Sequence, residues 1–273
     1  MLWMCPICHS PLQHQSQHKN FRCSNNHCFD IAKEGYCNLV PANQKNSKNP
    51  GDSKAMIQAR RLFLGAGHYQ HLADALSAMI IRHHPTANNI LEVGCGEGYY
   101  LRQIDAASQP NQDTRQYHGL DISKEAVKLA ARANKSHSYS VASSFNMPVL
   151  ADGGDIIIRN FAPAPSEQIQ RALSDDGLFI VVTPGQHHLF QLRELIYRSA
   201  KPHESDITGV EGFNLIDQQH LSKTIHINVA SEVSALLQMT PYYWQTSAED
   251  QLKLDQLKQL ECQTDFVISV FKQ

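Results

Sequence analysis

Four of the chain's seven cysteines, Cys5, Cys8, Cys23 and Cys28, fall within its first thirty residues, and Cys37, Cys95 and Cys262 stand apart. Cys5-Pro-Ile-Cys8 is a knuckle in which a tight turn lets two thiolates reach one tetrahedral ion. Cys23-Ser-Asn-Asn-His27-Cys28 supplies a second pair after a 14-residue interval, close to zinc-ribbon spacing. His27 and Cys28 compete for the fourth position, because neighbouring residues rarely both point at one ion. Four protein ligands leave no open position for chemistry, so the expected zinc is structural. It would hold together a segment too small to fold by apolar burial alone.

A second constellation lies at Leu91-Glu-Val-Gly94-Cys95-Gly96-Glu97-Gly98-Tyr99-Tyr100. Three glycines between an apolar run and a helical pattern let a ligand approach the backbone where a side chain would block it. A dinucleotide fingerprint reads Gly-x-Gly-x-x-Gly; here the third glycine comes one residue early. The next apolar run ends in His118-Gly-Leu-Asp121, 27 residues beyond Gly94. A carboxylate at that strand tip can accept hydrogen bonds from a ribose diol. The combination points to a cofactor of the adenosine type other than NAD.

The elements that position these groups follow from periodicity. Residues 1–42 are rich in Cys, His and Asn, with few large aliphatics, and a polar run with Pro50-Gly51 follows as a linker. Ser53 or Asp52 can cap a helix over 54–64, with Met56, Ala59, Leu62 and Phe63 on one side and Gly65 as its stop. A second helix is expected over 69–82, from the spacing of Leu72, Leu76, Met79 and Ile80. Strands are expected at 89–93, 116–121, 138–142, 154–159 and 178–183, alternating with helices, which implies a parallel sheet in an α/β fold. Beyond 202 the pattern turns mixed, with antiparallel strands near 224–229 and 264–271 and a helix near 231–237. The expected division is a zinc-binding domain over 1–42, a linker with helices over 43–84 and a cofactor-binding α/β domain over 85–273.

A chain of 273 residues, 42% hydrophobic, can bury one large core beside a small domain. No apolar stretch reaches the roughly 18 to 20 residues of a membrane span, and the start lacks the pattern of an export signal. A cytoplasmic address without a membrane partner is expected, and with it reduced thiols. The net charge is -2, yet residues 1–61 hold eight Lys/Arg against three Asp/Glu, so any positive face lies on the N-terminal side.

The glycine loop and Leu120-Asp121 resemble the first two motifs of class I S-adenosylmethionine methyltransferases. Val141-Ala-Ser-Ser-Phe-Asn-Met-Pro148 resembles the third, which lines the adenine, and Asp155-Ile-Ile-Ile-Arg-Asn160 the fourth, which faces the transferred methyl group. The whole chain resembles the bacterial large-subunit ribosomal RNA guanine-N1 methyltransferases, which join a zinc ribbon to this domain. Segments carrying that likeness include Phe29-Asp-Ile-Ala-Lys-Glu-Gly-Tyr36, Gly65-Ala-Gly-His-Tyr69, Thr183-Pro-Gly185 and Cys262-Gln-Thr-Asp-Phe266.

The resemblance implies a Rossmann-like, mostly parallel seven-stranded sheet with an antiparallel last strand, preceded by the small zinc ribbon. It implies zinc on Cys5, Cys8, Cys23 and His27, with Cys28 a departure from the family's pattern. It implies S-adenosylmethionine contacts at Tyr69, Gly94, Cys95, Gly96, Glu97, Gly98, Tyr99, Asp121 and His188. The implied partner is a hairpin of 23S rRNA, and the family suggests a homodimer forming a cleft for it.

Guanine N1 carries a proton at neutral pH, so a base or a polarising contact must assist its loss. Asp155, Asn160, His187 and His188 are candidates, expected near the carboxyl ends of the fourth and fifth strands; spacing fixes none of them. Lys19, Arg22, Lys33, Lys45, Lys48, Arg60 and Arg61 could contact phosphates, with the zinc domain holding the RNA. Two rival readings are a methyltransferase acting on a quinone or lipid precursor, which has no use for a basic zinc segment, and a non-catalytic zinc-ribbon protein, which needs neither the glycine loop nor Asp121.

Overall fold

The protein is described from a computed structural model, over residues 2–41, 51–108, 114–196, 202, 209–240, 243 and 246–273. Its Cys- and Asn-rich start builds only a small antiparallel sheet, β1 (Gln13–Gln15), β2 (Asn20–Arg22) and β3 (Cys28–Asp30), in the order β1-β2-β3. The next strand, β4 (Tyr36–Asn38), leaves that sheet and pairs in parallel, Tyr36 opposite Tyr139, with the edge of the large one.

Two helices follow. α1 (Lys54–Gly65) is capped by Ser53, whose hydroxyl accepts from the Met56 amide at 3.2 Å; Asp52 instead pairs with Arg60. The helix runs through Gly65, and the left-handed turn comes at Gly67 (φ +84°), where a side chain would be strained. Leu62, expected on the apolar side, is 47% exposed; the packed face is Ile57, Ala59, Phe63 and Leu64. α2 (Gln70–His83) buries Leu72, Leu76, Met79 and Ile80, as its spacing required.

The alternating units are β5 (Asn89–Val93), α3 (Tyr99–Ala107), β6 (Gln116–Asp121), α4 (Lys124–Ala133), β7 (Ser138–Val141), β8 (Gly154–Asn160), α5 (Ser166–Ala172) and β9 (Leu173–Pro184). After α6 (Phe190–Ile196) come β10 (Asn214–Ile227), α7 (Ala230–Met239), α8 (Ala248–Asp255) and β11 (Leu260–Lys272). The sheet order is β10-β11-β9-β8-β5-β6-β7-β4, with β11 antiparallel to both neighbours and the β9-β8-β5-β6-β7-β4 run parallel. The expected seven strands are present, and β4 adds an eighth from the N-terminal segment. β10 begins ten residues earlier than its expected start because it is an edge strand. Gln218, Gln219, His220 and Ser222 face water or the rim, and no apolar alternation marks them.

Both faces of the sheet are buried, one under α1 to α4 and α7, the other under the N-terminal segment and α5. On the second face Leu2, Trp3, Cys5 and Leu12 pack with Leu91, Val93, Phe179 and Val181. Trp3 donates its indole N–H to Ser138 Oγ at 2.7 Å, and Met4 N donates to Pro148 O at 2.8 Å, so the first residues are bound to the large sheet.

Next to Trp3, at a ring separation of 5.8 Å, His118 of β6 is 4% exposed. Neither ring nitrogen has a hydrogen-bond partner among the described residues. Burial depresses its pKa to about 3. The unfolded chain, with an ordinary histidine near 6.5, binds the proton first as pH falls. Stability should therefore be flat above about pH 6.5 and decline towards pH 3. Urea titrations followed by tryptophan emission should show a lower midpoint at pH 5 than at pH 8, with the difference reduced in His118→Leu. An equal pH dependence in that variant would contradict this account.

Candidate functional site

The N-terminal turns bring four donors together. Cys5 Sγ and Cys23 Sγ lie 3.5 and 3.4 Å from His27 Nδ1, Cys8 Sγ lies 3.6 Å from Cys23 Sγ, and all four donor atoms fall within 4.8 Å of one another. A tetrahedral zinc with bonds of about 2.0–2.3 Å needs ligand separations of roughly 3.5–3.8 Å, so the donor set fits the ion. The Ser10 backbone amide helps draw the Cys8 thiol down to about 5, towards the thiolate a metal binds. Left-handed residues His9 (φ +61°) and Asn26 (φ +63°) close the two turns. Cys28 is exposed at the start of β3 and takes no part in the cluster.

The second site is a cavity of 710 Å³ at the carboxyl ends of β5, β6 and β8. This is the crevice where the strand order reverses between β5 and β8, the usual ligand position in open α/β sheets. Tyr69, Gly94, Cys95, Gly96, Glu97 and Tyr99 line it, as do Asp121 and His188. Gly98 does not; at φ +76° it opens α3, and a Cβ there would come within 2.6 Å of Tyr139 Oη, so it serves close helix–strand packing. Gly94 (φ +73°) is held similarly, since a Cβ would come within 2.4 Å of Ala162 Cβ. Gly96 (φ +54°) has nothing within 4 Å of where a Cβ would stand, which leaves its backbone open to a ligand.

Asp121 ends β6 with one carboxylate oxygen accepting from Gly96 N at 2.9 Å and the other from Ser123 N at 2.8 Å. A carboxylate has about four lone-pair sites, so two remain for a ribose diol. Glu97 is buried and paired with Arg102 at 2.9 Å. Glu92 is buried beneath the loop; desolvation, reinforced by Asp121, pushes its carboxyl well above the usual range, and Oε2 has no partner among the described residues. An orphaned carboxyl oxygen suits a cationic group such as the cofactor's ammonium.

Among the candidate bases, Asp155 stands at the amino end of β8, the end away from the cavity. Its Oδ2 accepts from Asn88 N and Asn89 N at 2.8 Å each, which ties the start of β5 to β8. The expectation that it lies near a carboxyl end is corrected. His187 is exposed and outside the cavity lining. His188 is buried in the wall: Nδ1 accepts from Asp265 N at 3.2 Å, so the neutral ring carries its proton on Nε2, 3.4 Å from Tyr69 Oη. A ring held this way offers a proton and does not take one. Asn160, at the carboxyl end of β8, lines the cavity.

Sequence reading missed one wall. Asp52, Met56, Arg60 and Leu64 all line the cavity; the last three, four residues apart, share one face of α1, and Asp52 stands just before its cap. Arg60, grouped with the surface cations, thus points into the cavity and pairs with Asp52, whereas Arg61, Lys19, Arg22 and Lys33 are exposed. Lys45 and Lys48 lie outside the described residues.

Residues 3–48 match the zinc-ribbon family described as RlmA, N-terminal, and residues 85–233 match a methyltransferase domain family. A 23S rRNA (guanine(748)-N(1))-methyltransferase of Streptomyces fradiae is 29% identical over 90% of this chain and 87% of its own. A Micromonospora griseorubida protein assigned as a 23S rRNA (guanine-N(1)-)-methyltransferase is 34% identical over 69% of this chain and 67% of its own. A Bacillus subtilis (strain 168) protein with the same assignment is 26% identical over 98% and 96%. A Cys/His cluster folded onto the sheet, a ribbon match over 3–48, a methyltransferase match over 85–233 and a relative 34% identical over two thirds of both chains settle the kinship: the chain belongs to the 23S rRNA (guanine-N1)-methyltransferase family.

Proposed function

We propose that the protein transfers a methyl group from S-adenosylmethionine to N1 of a guanine in 23S rRNA. The observation that carries this reading is the 34% identity to a relative of that assignment, together with a cavity whose donors suit the cofactor. S-adenosylmethionine supplies an electrophilic methyl group on a sulfonium, and the protein gains most by aligning it with the guanine nitrogen and excluding water.

In this reading Asp121 accepts from the ribose hydroxyls, and the Gly94–Gly96 turn admits the cofactor to the backbone. Glu92 and Arg60 complement the charges of its amino acid part. Tyr69 and His188 form the wall towards the substrate, and the 141–148 loop covers the adenine. Cys5, Cys8, Cys23 and His27 hold a structural zinc. The ribbon over 1–42, the connecting segment over 43–84 and the catalytic domain over 85–273 are its working units, with β4 reaching from the first into the sheet of the third. Arg61, Lys19, Arg22 and Lys33, all exposed, are the cations offered to phosphates. A homodimer that completes an RNA cleft, and a cytoplasmic address shared with ribosomes, belong to the same reading; no described helix is long and apolar enough to cross a membrane.

Incubation with methyl-labelled S-adenosylmethionine and either 23S rRNA or a total lipid extract tests the substrate class. Label is expected in the RNA; label confined to the lipid would favour the small-molecule reading.

A further inference from the structure

We propose that Phe161 is the platform on which the target guanine lies after leaving its stack, and that Asn160 Oδ1 accepts from the exocyclic N2 amino group of that base. The proposal rests on the guanine-N1 reading above and specifies which residues hold the base. Phe161 directly follows β8 and lines the cavity, where it is 48% exposed. The rings it packs against, His188 and Phe266, are buried, as is Tyr69, which packs on both of them.

Its backbone sits at φ +53°, a region that bulky side chains avoid and that a fold retains where something demands it. That conformation turns the ring over His188, 5.9 Å away at an interplanar angle of 30°, and against Phe266, also at 5.9 Å. The ring is therefore backed by packed rings and still half open at the cavity. Enzymes that act on an extruded base hold it on such a surface, because every base has a π-face to stack.

Asn160 is 7% exposed, and its Oδ1 has no hydrogen-bond partner among the described residues. A buried acceptor without a donor is costly unless a ligand supplies one. Guanine presents two adjacent donors on its Watson–Crick edge, N1–H and N2–H. Adenine presents an acceptor at N1. An acceptor engaging the N2 amino group selects guanine and leaves N1 free to face the methyl donor. Phe161 and Asn160 are consecutive, so one strand end supplies both the stacking surface and the edge contact.

The test compares wild type, Phe161→Tyr, Phe161→Gly and Asn160→Ala in single-turnover methylation of an unmodified 23S rRNA fragment. The fragment carries either guanine or inosine, which lacks the N2 amino group, at the modified position. Phe161→Gly should keep its melting temperature, since glycine accepts this backbone, and keep cofactor affinity within about twofold by calorimetry. Its methylation rate should fall about 10- to 100-fold, with Phe161→Tyr restoring most of it. Inosine should slow the wild type about tenfold and leave the Asn160→Ala rate unchanged, the signature of two partners in one contact. Equal slowing by inosine in wild type and Asn160→Ala, or full activity in Phe161→Gly, overturns the proposal while the rRNA reading stands. No 1-methylguanosine from the wild type overturns the reading itself.

Discussion

Removing the zinc, by chelation or by Cys23→Ser, is expected to lower the melting temperature of the whole chain and not of its first forty residues alone. Apparent zinc-binding energies of small ribbons are about 10–16 kcal/mol, and the three-stranded β1-β2-β3 sheet has little apolar burial of its own to offset their loss. The effect spreads because the cluster shares a core with the catalytic sheet. Cys5 and Cys23 are buried in the same cluster as Leu91, Val93 and Phe179, and Trp3, two residues from Cys5, is 2% exposed. Loosening Trp3 alone forfeits about 3–5 kcal/mol, and at roughly 2–4 °C per kcal/mol for a chain of this size the transition should fall by about 6–20 °C. Calorimetry with and without chelator checks this. A separate low-temperature ribbon transition, with the main one unmoved, would contradict it.

Asp121→Ala is expected to weaken cofactor binding by about 100-fold or more. The carboxylate has two jobs: it pins Gly96 N and Ser123 N, which shapes the loop, and it keeps lone pairs for the ribose. Hydrogen bonds to a charged acceptor contribute about 1.5–3 kcal/mol each, so losing two or more amounts to two decades or beyond. Asp121→Asn, which retains one acceptor oxygen, should fall between. Titration with S-adenosylhomocysteine measures both; an alanine variant within about threefold of wild type would remove Asp121 from the site.

The metal pair, the glycine loop and Asp121 were legible because each is a local pattern whose spacing carries its chemistry. The choice between His27 and Cys28 was not, since adjacent residues have equal reach. Only the start of β3 at Cys28, which turns that thiol outward, separates them. Asp155 was misplaced although its position was readable: it precedes the apolar run Ile156-Ile157-Ile158 and so begins the strand, at the end away from the cavity. In sequence Arg60 reads as a surface cation, because a helix pattern shows which face is apolar and hides which polar residue will face a cavity. β4 gave no signal of its destination. Three residues cannot announce a parallel pairing with a strand a hundred residues away.

The most direct test of the account is nucleoside analysis of unmodified 23S rRNA after reaction with methyl-labelled S-adenosylmethionine. The account predicts label in 1-methylguanosine, lost in Asp121→Ala. Measurable cofactor binding with no labelled 1-methylguanosine, or with label in another nucleoside, would contradict it.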